Sequence, residues 1–276
     1  MDDTPRPAPR SRGIYLLPNL LTTCGMFSGF YAILAAADHR FENACMAVFI
    51  AAIFDGVDGR IARLTGTSTE FGVQYDSLAD LVSFGMAPAL VMYHWALSTL
   101  KFDGVAIGKA GWAASFLYAA CAALRLARFN TQVGVVDKRW FQGLPSPAAA
   151  ALVMGFIWLV TESGKRGGEV LYLSWVQITW ITFGFTLYSG LTMVTNAPFY
   201  SFKDFRKARS VPFAAIVLIA LGIAAINIDP PTVLFSLFVI YGLSGYVVYA
   251  WRKAKGQPVS VISISTDEPD EVGLHK

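Results

Sequence analysis

Residues 43–80 read NACMAVFIAAIFDGVDGRIARLTGTSTEFGVQYDSLAD, and the four aspartates in this stretch, Asp55, Asp58, Asp76 and Asp80, decide how the rest of the chain is read. An apolar run leads into the first pair, and a second apolar run leads away from the last. On insertion scales an aspartate at the centre of a membrane helix costs about 2.5–3.5 kcal/mol. Four of them at or near membrane depth therefore require compensation. Asp55 and Asp58 are three apart and share a helix face, as do Asp76 and Asp80, four apart. A turn of about a dozen residues between the helices gives an antiparallel pair able to point all four carboxylates at one volume.

Carboxylates at that density repel one another, so they take up protons or bind cations. Hard oxygen ligands suit Mg2+, Mn2+ or Ca2+. Two divalent ions sharing such ligands would hold a phosphate substrate and stabilise both the attacking and the leaving oxygen. Gly56, Gly59, Ala62 and Gly72 clear side chains from the faces beside the aspartates. Arg63, four residues after Gly59, offers a guanidinium suited to bidentate phosphate contact. Taken alone, the glycines would fit close helix packing equally well.

The composition places this site in a membrane. Of 276 residues, 55% are hydrophobic and only 15% charged, with a mean hydropathy of +0.49, whereas soluble domains carry about 25% charged residues. A spanning helix needs about 20 mostly apolar residues. The apolar runs predict eight such helices, at 17–37, 43–63, 74–98, 110–130, 145–162, 172–194, 210–227 and 232–251. The expected fold is thus an all-α, polytopic membrane helix bundle. With eight spans, 17 of the 22 Lys and Arg residues fall on one side, leaving Arg40, Lys101, Lys109, Lys165 and Arg166 on the other. By the positive-inside rule both termini are cytoplasmic. Trp95, Trp112, Trp140, Tyr172, Trp175 and Trp251 stand near helix ends, as interfacial anchors do.

Other classes are excluded or weakened. The net charge of +3 comes with no basic stripe interleaved with aromatics, which argues against nucleic acid as a partner. Cys24, Cys45 and Cys121 lie inside apolar runs without metal-ligand spacing, and their odd number gives no disulfide framework. His39, His94 and His275 stand apart from the aspartates in sequence. A cation transporter would also carry intramembrane carboxylates, but that reading asks for interrupted helices at matching positions in two halves, and the second half has no counterpart of the aspartates. A non-catalytic membrane scaffold would have no need of them.

The pattern Asp55-x2-Asp58-Gly59-x2-Ala62-Arg63-x8-Gly72-x3-Asp76-x3-Asp80 resembles the signature of the CDP-alcohol phosphatidyltransferase family at every fixed position. The resemblance implies transfer of a phosphatidyl group from a CDP-linked lipid to an alcohol, with release of CMP. It implies Asp55, Asp58, Asp76 and Asp80 as ligands of a divalent metal, Mg2+ or Mn2+ and two ions, with Asp80 also the general base. Gly59, Ala62, Arg63 and Gly72 would line the CDP site. It further implies a homodimer in the cell (inner) membrane, in contact with membrane lipids, its active site facing the cytoplasm.

Three later segments resemble the phosphatidylserine synthase branch of that family: Arg125 to Asn130 (RLARFN), Phe141 to Ala149 (FQGLPSPAA) and Pro198 to Lys203 (PFYSFK). Leu17 to Thr22 (LPNLLT) resembles the start of the family core. The implied substrates are CDP-diacylglycerol and L-serine. Serine brings a carboxylate that needs a cation, so Arg125, Arg128, Asn130 and Lys203 are the expected acceptor-binding residues. Asn130 and Ser146 would serve equally as helix caps. Glycerol phosphate, inositol phosphate and choline stay open as alternative acceptors. The expected organisation is a disordered tail at 1–13, a six-helix catalytic core at 14–210, two additional helices at 211–252, and a polar tail at 253–276.

Overall fold

The computed structural model describes residues 16–67, 69–131, 140–165, 173–201 and 213–255. Lys203 and both tails lie outside these residues. The helices are α1 (Leu16–Ala37), α2 (Phe41–Thr65), α3 (Glu70–Asp80), α4 (Ala87–Trp95), α5 (Val105–Thr131), α6 (Ser146–Lys165), α7 (Trp175–Val194), α8 (Phe213–Ile228) and α9 (Pro230–Ala254). Among the described residues, four stretches are long and apolar enough to cross a membrane: Leu17–Ala37, Val105–Thr131, Ser146–Lys165 and Pro230–Ala254. The α2 helix, at 25 residues, is long enough but carries Glu42, Asp55, Asp58, Arg60 and Arg63, and α8 has only 16 residues.

The apolar surface faces outward, as a lipid solvent demands. Leu20, Phe27, Phe30 and Leu34 of α1, Ile50 and Ile53 of α2, Trp112 and Phe116 of α5, and Ile240, Leu243 and Val247 of α9 are all exposed. The interior is built instead from small residues. Ala32, Ala35 and Ala36 of α1 lie against Ala44, Ala47 and Ala51 of α2, all buried. The Ser28 hydroxyl crosses between the helices to donate to the Ala47 carbonyl at 2.7 Å. Small residues let backbones approach closely where lipid removes the usual hydrophobic drive for helices to associate. The α6 helix runs through the middle, its Ala148–Ala149–Ala150–Ala151 run buried.

The third expected span, 74–98, is not one regular helix. Between α3 and α4 lies a π-helical segment, Leu81–Met86, and after α4 a 3-10 turn, Leu97–Asp103. Pro88 supplies a reason: it has no N–H to give the Phe84 carbonyl four residues back. The Tyr118 hydroxyl of α5 donates to that carbonyl at 3.1 Å. Ser83, within the π segment, donates to the Gly25 carbonyl of α1 at 3.1 Å. The wider turn thus begins at the residue that follows Asp80.

A second departure amends the all-helical expectation. Trp140–Gln142 (β1) pairs antiparallel with Pro198–Tyr200 (β2), with Trp140 opposite Tyr200, Phe141 opposite Phe199 and Gln142 opposite Pro198. Two three-residue strands from distant connections are too short to show a period in sequence. The ribbon enters α6 through Gly143, whose φ of 76° suits glycine. A Cβ there would overlap the Met193 carbonyl. The Gly143 and Leu144 amides donate to the Ala197 and Thr192 carbonyls at 2.9 and 3.1 Å, fastening the ribbon to the end of α7.

Candidate active site

The turn between α2 and α3 brings the aspartate pairs together. Gly66 ends α2 in the left-handed conformation, with φ 63° and ψ 32°, and its amide donates to the Ala62 carbonyl. Glycine accepts that conformation without a Cβ penalty. Thr69 then caps α3, its hydroxyl accepting the Gly72 amide at 3.0 Å. The chain reverses within four residues, and the two acidic faces meet.

Carboxylate oxygens of Asp55, Asp76 and Asp80 lie within 4.8 Å of one another. Among the described residues no salt bridge engages these three. Asp58 stands outside the group. It is 3% exposed, and its Oδ2 accepts the Thr22 hydroxyl of α1 at 2.6 Å. Its Oδ1 is buried without a hydrogen bond of normal geometry, although the Gly59 amide lies close to the carboxylate. Of the four carboxylates expected at one volume, three converge within 4.8 Å, and the fourth, Asp58, accepts a hydroxyl from another helix.

Asp58 and Asp76 both line the adjoining cleft, of about 170 Å3, together with Gly59, Ala62, Arg63 and Gly72. All four residues expected at the CDP site therefore share one cavity. A Cβ added at Gly59 would meet only the Arg63 guanidinium, at 3.8 Å, and one at Gly56 would meet nothing within 4 Å. Neither glycine is needed there for helix packing. Pro18, Asn19 and Thr22 close the cleft from α1, with Thr67 and Thr69 from the turn. None of these five was expected as a site residue, although the first three lie in the LPNLLT segment.

The residues expected to bind the acceptor have separate fates. Arg125 is 9% exposed. Its guanidinium donates to the Ser146 hydroxyl at 2.8 Å, its Nε–H is buried without a partner, and it is electrostatically coupled to Asp80 and Asp55. Arg128 is engaged in backbone. It donates to the Val194 carbonyl at 3.2 Å, to Gln142 at 2.9 Å and to Thr195 at 3.3 Å, and reaches the Asn196 side chain at 3.4 Å. It caps the end of α7, where helix carbonyls lack partners, and ties that end to β1. The Asn130 amide donates to the Ser77 hydroxyl at 3.0 Å, linking the end of α5 to α3 between Asp76 and Asp80. The Ser77, Tyr118 and Ser83 contacts had no signal in the sequence, because hydroxyls on apolar helices are common and a long-range partner is not readable from spacing.

The donor set suits a hard divalent cation. Among the described residues the three carboxylates converge with no salt bridge to them, and Asp58 follows Asp55 one turn on in α2 with its Oδ1 buried and unpartnered.

Comparison with known proteins agrees with this chemistry. The sequence profile of CDP-alcohol phosphatidyltransferases matches residues 15–188. A CDP-diacylglycerol–serine O-phosphatidyltransferase of Helicobacter pylori (strain J99) is 35% identical over 237 residues, covering 85% of this chain and 92% of the relative. A protein of the same name from Mycobacterium leprae is 30% identical over 241 residues, covering 84% and 75%. An archaetidylserine synthase from Methanothermobacter thermautotrophicus is 37% identical over 142 residues, covering 51% and 57%. With the motif intact, its residues gathered at one cleft, and a profile match over most of the chain, this protein belongs to the CDP-alcohol phosphatidyltransferase family.

Proposed function

We propose that the protein transfers the phosphatidyl group of CDP-diacylglycerol to the hydroxyl of L-serine, giving phosphatidylserine and CMP. The observation that carries this reading is the convergence of Asp55, Asp76 and Asp80 beside a cleft lined by Gly59, Ala62, Arg63 and Gly72. Relatives named for serine transfer, similar over most of the chain, support the acceptor. Asp55, Asp58, Asp76 and Asp80 would hold two ions, Mg2+ or Mn2+, which when bound neutralise the diphosphate and stabilise charge on the attacking and leaving oxygens.

The chain's own groups do the rest. The cleft takes the CDP moiety, with the bare faces of Gly59 and Gly72 against it and Arg63 on its phosphates. Arg125 receives the serine carboxylate through its unpartnered Nε–H, while Ser146 fixes the guanidinium. Asp80 accepts the hydroxyl proton. The serine oxygen forms its bond to the lipid-side phosphorus as the bond from that phosphorus to the CMP oxygen breaks, and CMP departs carrying the negative charge. Arg128 and Asn130 hold the frame of the acceptor side and do not touch serine. The same reading has eight membrane crossings, counting α3, the π segment and α4 as one, with both termini and the site on the cytoplasmic side of the cell (inner) membrane. The bias of Lys and Arg supports that orientation. A homodimer is proposed on the family resemblance.

The test is CMP release by purified protein in mixed micelles with CDP-diacylglycerol and Mn2+ or Mg2+. Serine, glycerol phosphate, inositol phosphate and choline are supplied in turn. Release with serine alone is expected. Release with inositol phosphate but not with serine would sink the assignment.

A further inference from the structure

The last helix lies beyond the residues matched by the family profile, and nothing in the aspartate chemistry calls for it. Its packing is nevertheless directed at the acceptor side. It packs along α6, where Phe235 closes over Gly155, leaving a Cβ there only 3.1 Å from the Phe235 Cα. Two hydroxyl contacts meet α7: Tyr188 donates to the Gly242 carbonyl at 2.8 Å, and Tyr246 shares a hydrogen bond with Thr192 at 2.8 Å.

Further contacts of α9 reach the β ribbon. The Tyr241 hydroxyl donates to the Tyr200 carbonyl of β2 at 3.1 Å, and its ring packs on Phe199 at 5.7 Å between centroids. The Phe199 ring fills the space over Gly245, where any Cβ would overlap it. The Arg252 guanidinium lies over the Trp140 ring of β1, 4.2 Å from its centroid. Both strands are therefore held by one helix. The ribbon leads through Gly143 and Leu144 into Ser146, the hydroxyl that Arg125 binds.

We infer that α9 completes the acceptor site, with Tyr241 a positioning residue that holds the ribbon and, through it, the Arg125–Ser146 pair. This rests on the reading of Arg125 as the cation for the serine carboxylate. A tyrosine hydroxyl among apolar helices needs a partner, and a carbonyl on the edge of the ribbon gives it one. Losing that bond frees β2 to shift against α9 without disturbing the aspartates, which sit on α2 and α3.

The experiment compares Tyr241→Phe, Tyr188→Phe and Arg125→Gln in detergent-solubilised full-length protein, with the KM for serine and the KM for CDP-diacylglycerol measured separately. Tyr241→Phe keeps the ring on Phe199 and removes only the hydroxyl. It is expected to raise the serine KM severalfold and leave the CDP-diacylglycerol KM and the melting temperature close to the parent's. Tyr188→Phe removes a comparable α9 hydrogen bond away from the ribbon and is expected to move neither KM. If Arg125→Gln raises the serine KM while Tyr241→Phe does not, the positioning role is wrong and the acceptor reading survives. If Arg125→Gln leaves the serine KM unchanged, the acceptor reading fails and this inference falls with it. Equal shifts in both KM values for Tyr241→Phe and Tyr188→Phe would reduce α9 to a packing element and overturn the inference.

Discussion

The two sides of the site are built on opposite principles. The acidic side comes from 26 consecutive residues, Asp55 to Asp80, and its three converging carboxylates make no salt bridge among the described residues. The basic side is assembled from α5, the ribbon, the start of α6 and the end of α7, and most of its donors are already bound. Arg128 is engaged on backbone carbonyls, Asn130 on Ser77, and Arg125 on Ser146. Unsatisfied charge marks where ligands enter, and satisfied charge marks where the frame is held. By that distinction the acidic side is chemistry throughout, while among the described residues of the basic side Arg125 keeps a free Nε–H for a substrate.

The largest effect should follow from breaking the acidic side. Asp80→Asn keeps the shape of the side chain and removes its capacity to take a proton. A positioned general base contributes about 10²- to 10⁴-fold, so turnover should fall by at least that factor, and further if metal is also lost. The protein should still melt cooperatively near the parent temperature, because among the described residues Asp80 makes no salt bridge that folding depends on. A variant that retains a tenth of the parent's turnover would remove Asp80 from the role of base.

The basic side should respond in the opposite sense, in stability before chemistry. Arg128→Gln removes the donors that serve the carbonyls of Gln142, Val194 and Thr195. A buried acceptor left unsatisfied costs about 1–3 kcal/mol, so the melting temperature should drop clearly. The variant that still folds should bind CDP-diacylglycerol normally. If Arg128→Gln instead kept full stability and lost only serine affinity, Arg128 would be a substrate ligand after all, and the contrast between the two sides would collapse.

That contrast also explains what could be read from the sequence. The aspartates, Gly59, Ala62, Arg63 and Gly72 were legible because they belong to two helices joined by a short turn, where spacing alone fixes which residues face each other. The helix positions were legible within a few residues because lipid imposes a length and a composition. The bond that Asp58 accepts was not legible, because it depends on Thr22, 36 residues earlier on another helix. Nor was the ribbon, whose pairing is long-range and whose strands have three residues each. The π segment was hidden for a different reason. Pro88 signals a break, but how the helix accommodates it depends on Tyr118 arriving from α5.

The smallest expected effect separates chemistry from packing within the acidic side itself. Glycines on membrane helices commonly serve close approach of neighbouring backbones, and that explanation fails for both Gly56 and Gly59. A Cβ at Gly56 would meet nothing, and one at Gly59 only a guanidinium at ordinary contact distance. Alanine at either position should therefore be tolerated, and the gain in helix propensity should stabilise the protein by up to about 1 kcal/mol. The two substitutions diverge in substrate binding. Gly59 lines the cleft and Gly56 does not. One misplaced methyl in a fitted pocket is worth about 1–3 kcal/mol, so Gly59→Ala should raise the CDP-diacylglycerol KM by about tenfold at the low end of that range. Gly56→Ala should leave it unchanged. If both variants bound CDP-diacylglycerol like the parent, the nucleotide would not lie over α2, and the cleft beside Asp58 would lose its assignment.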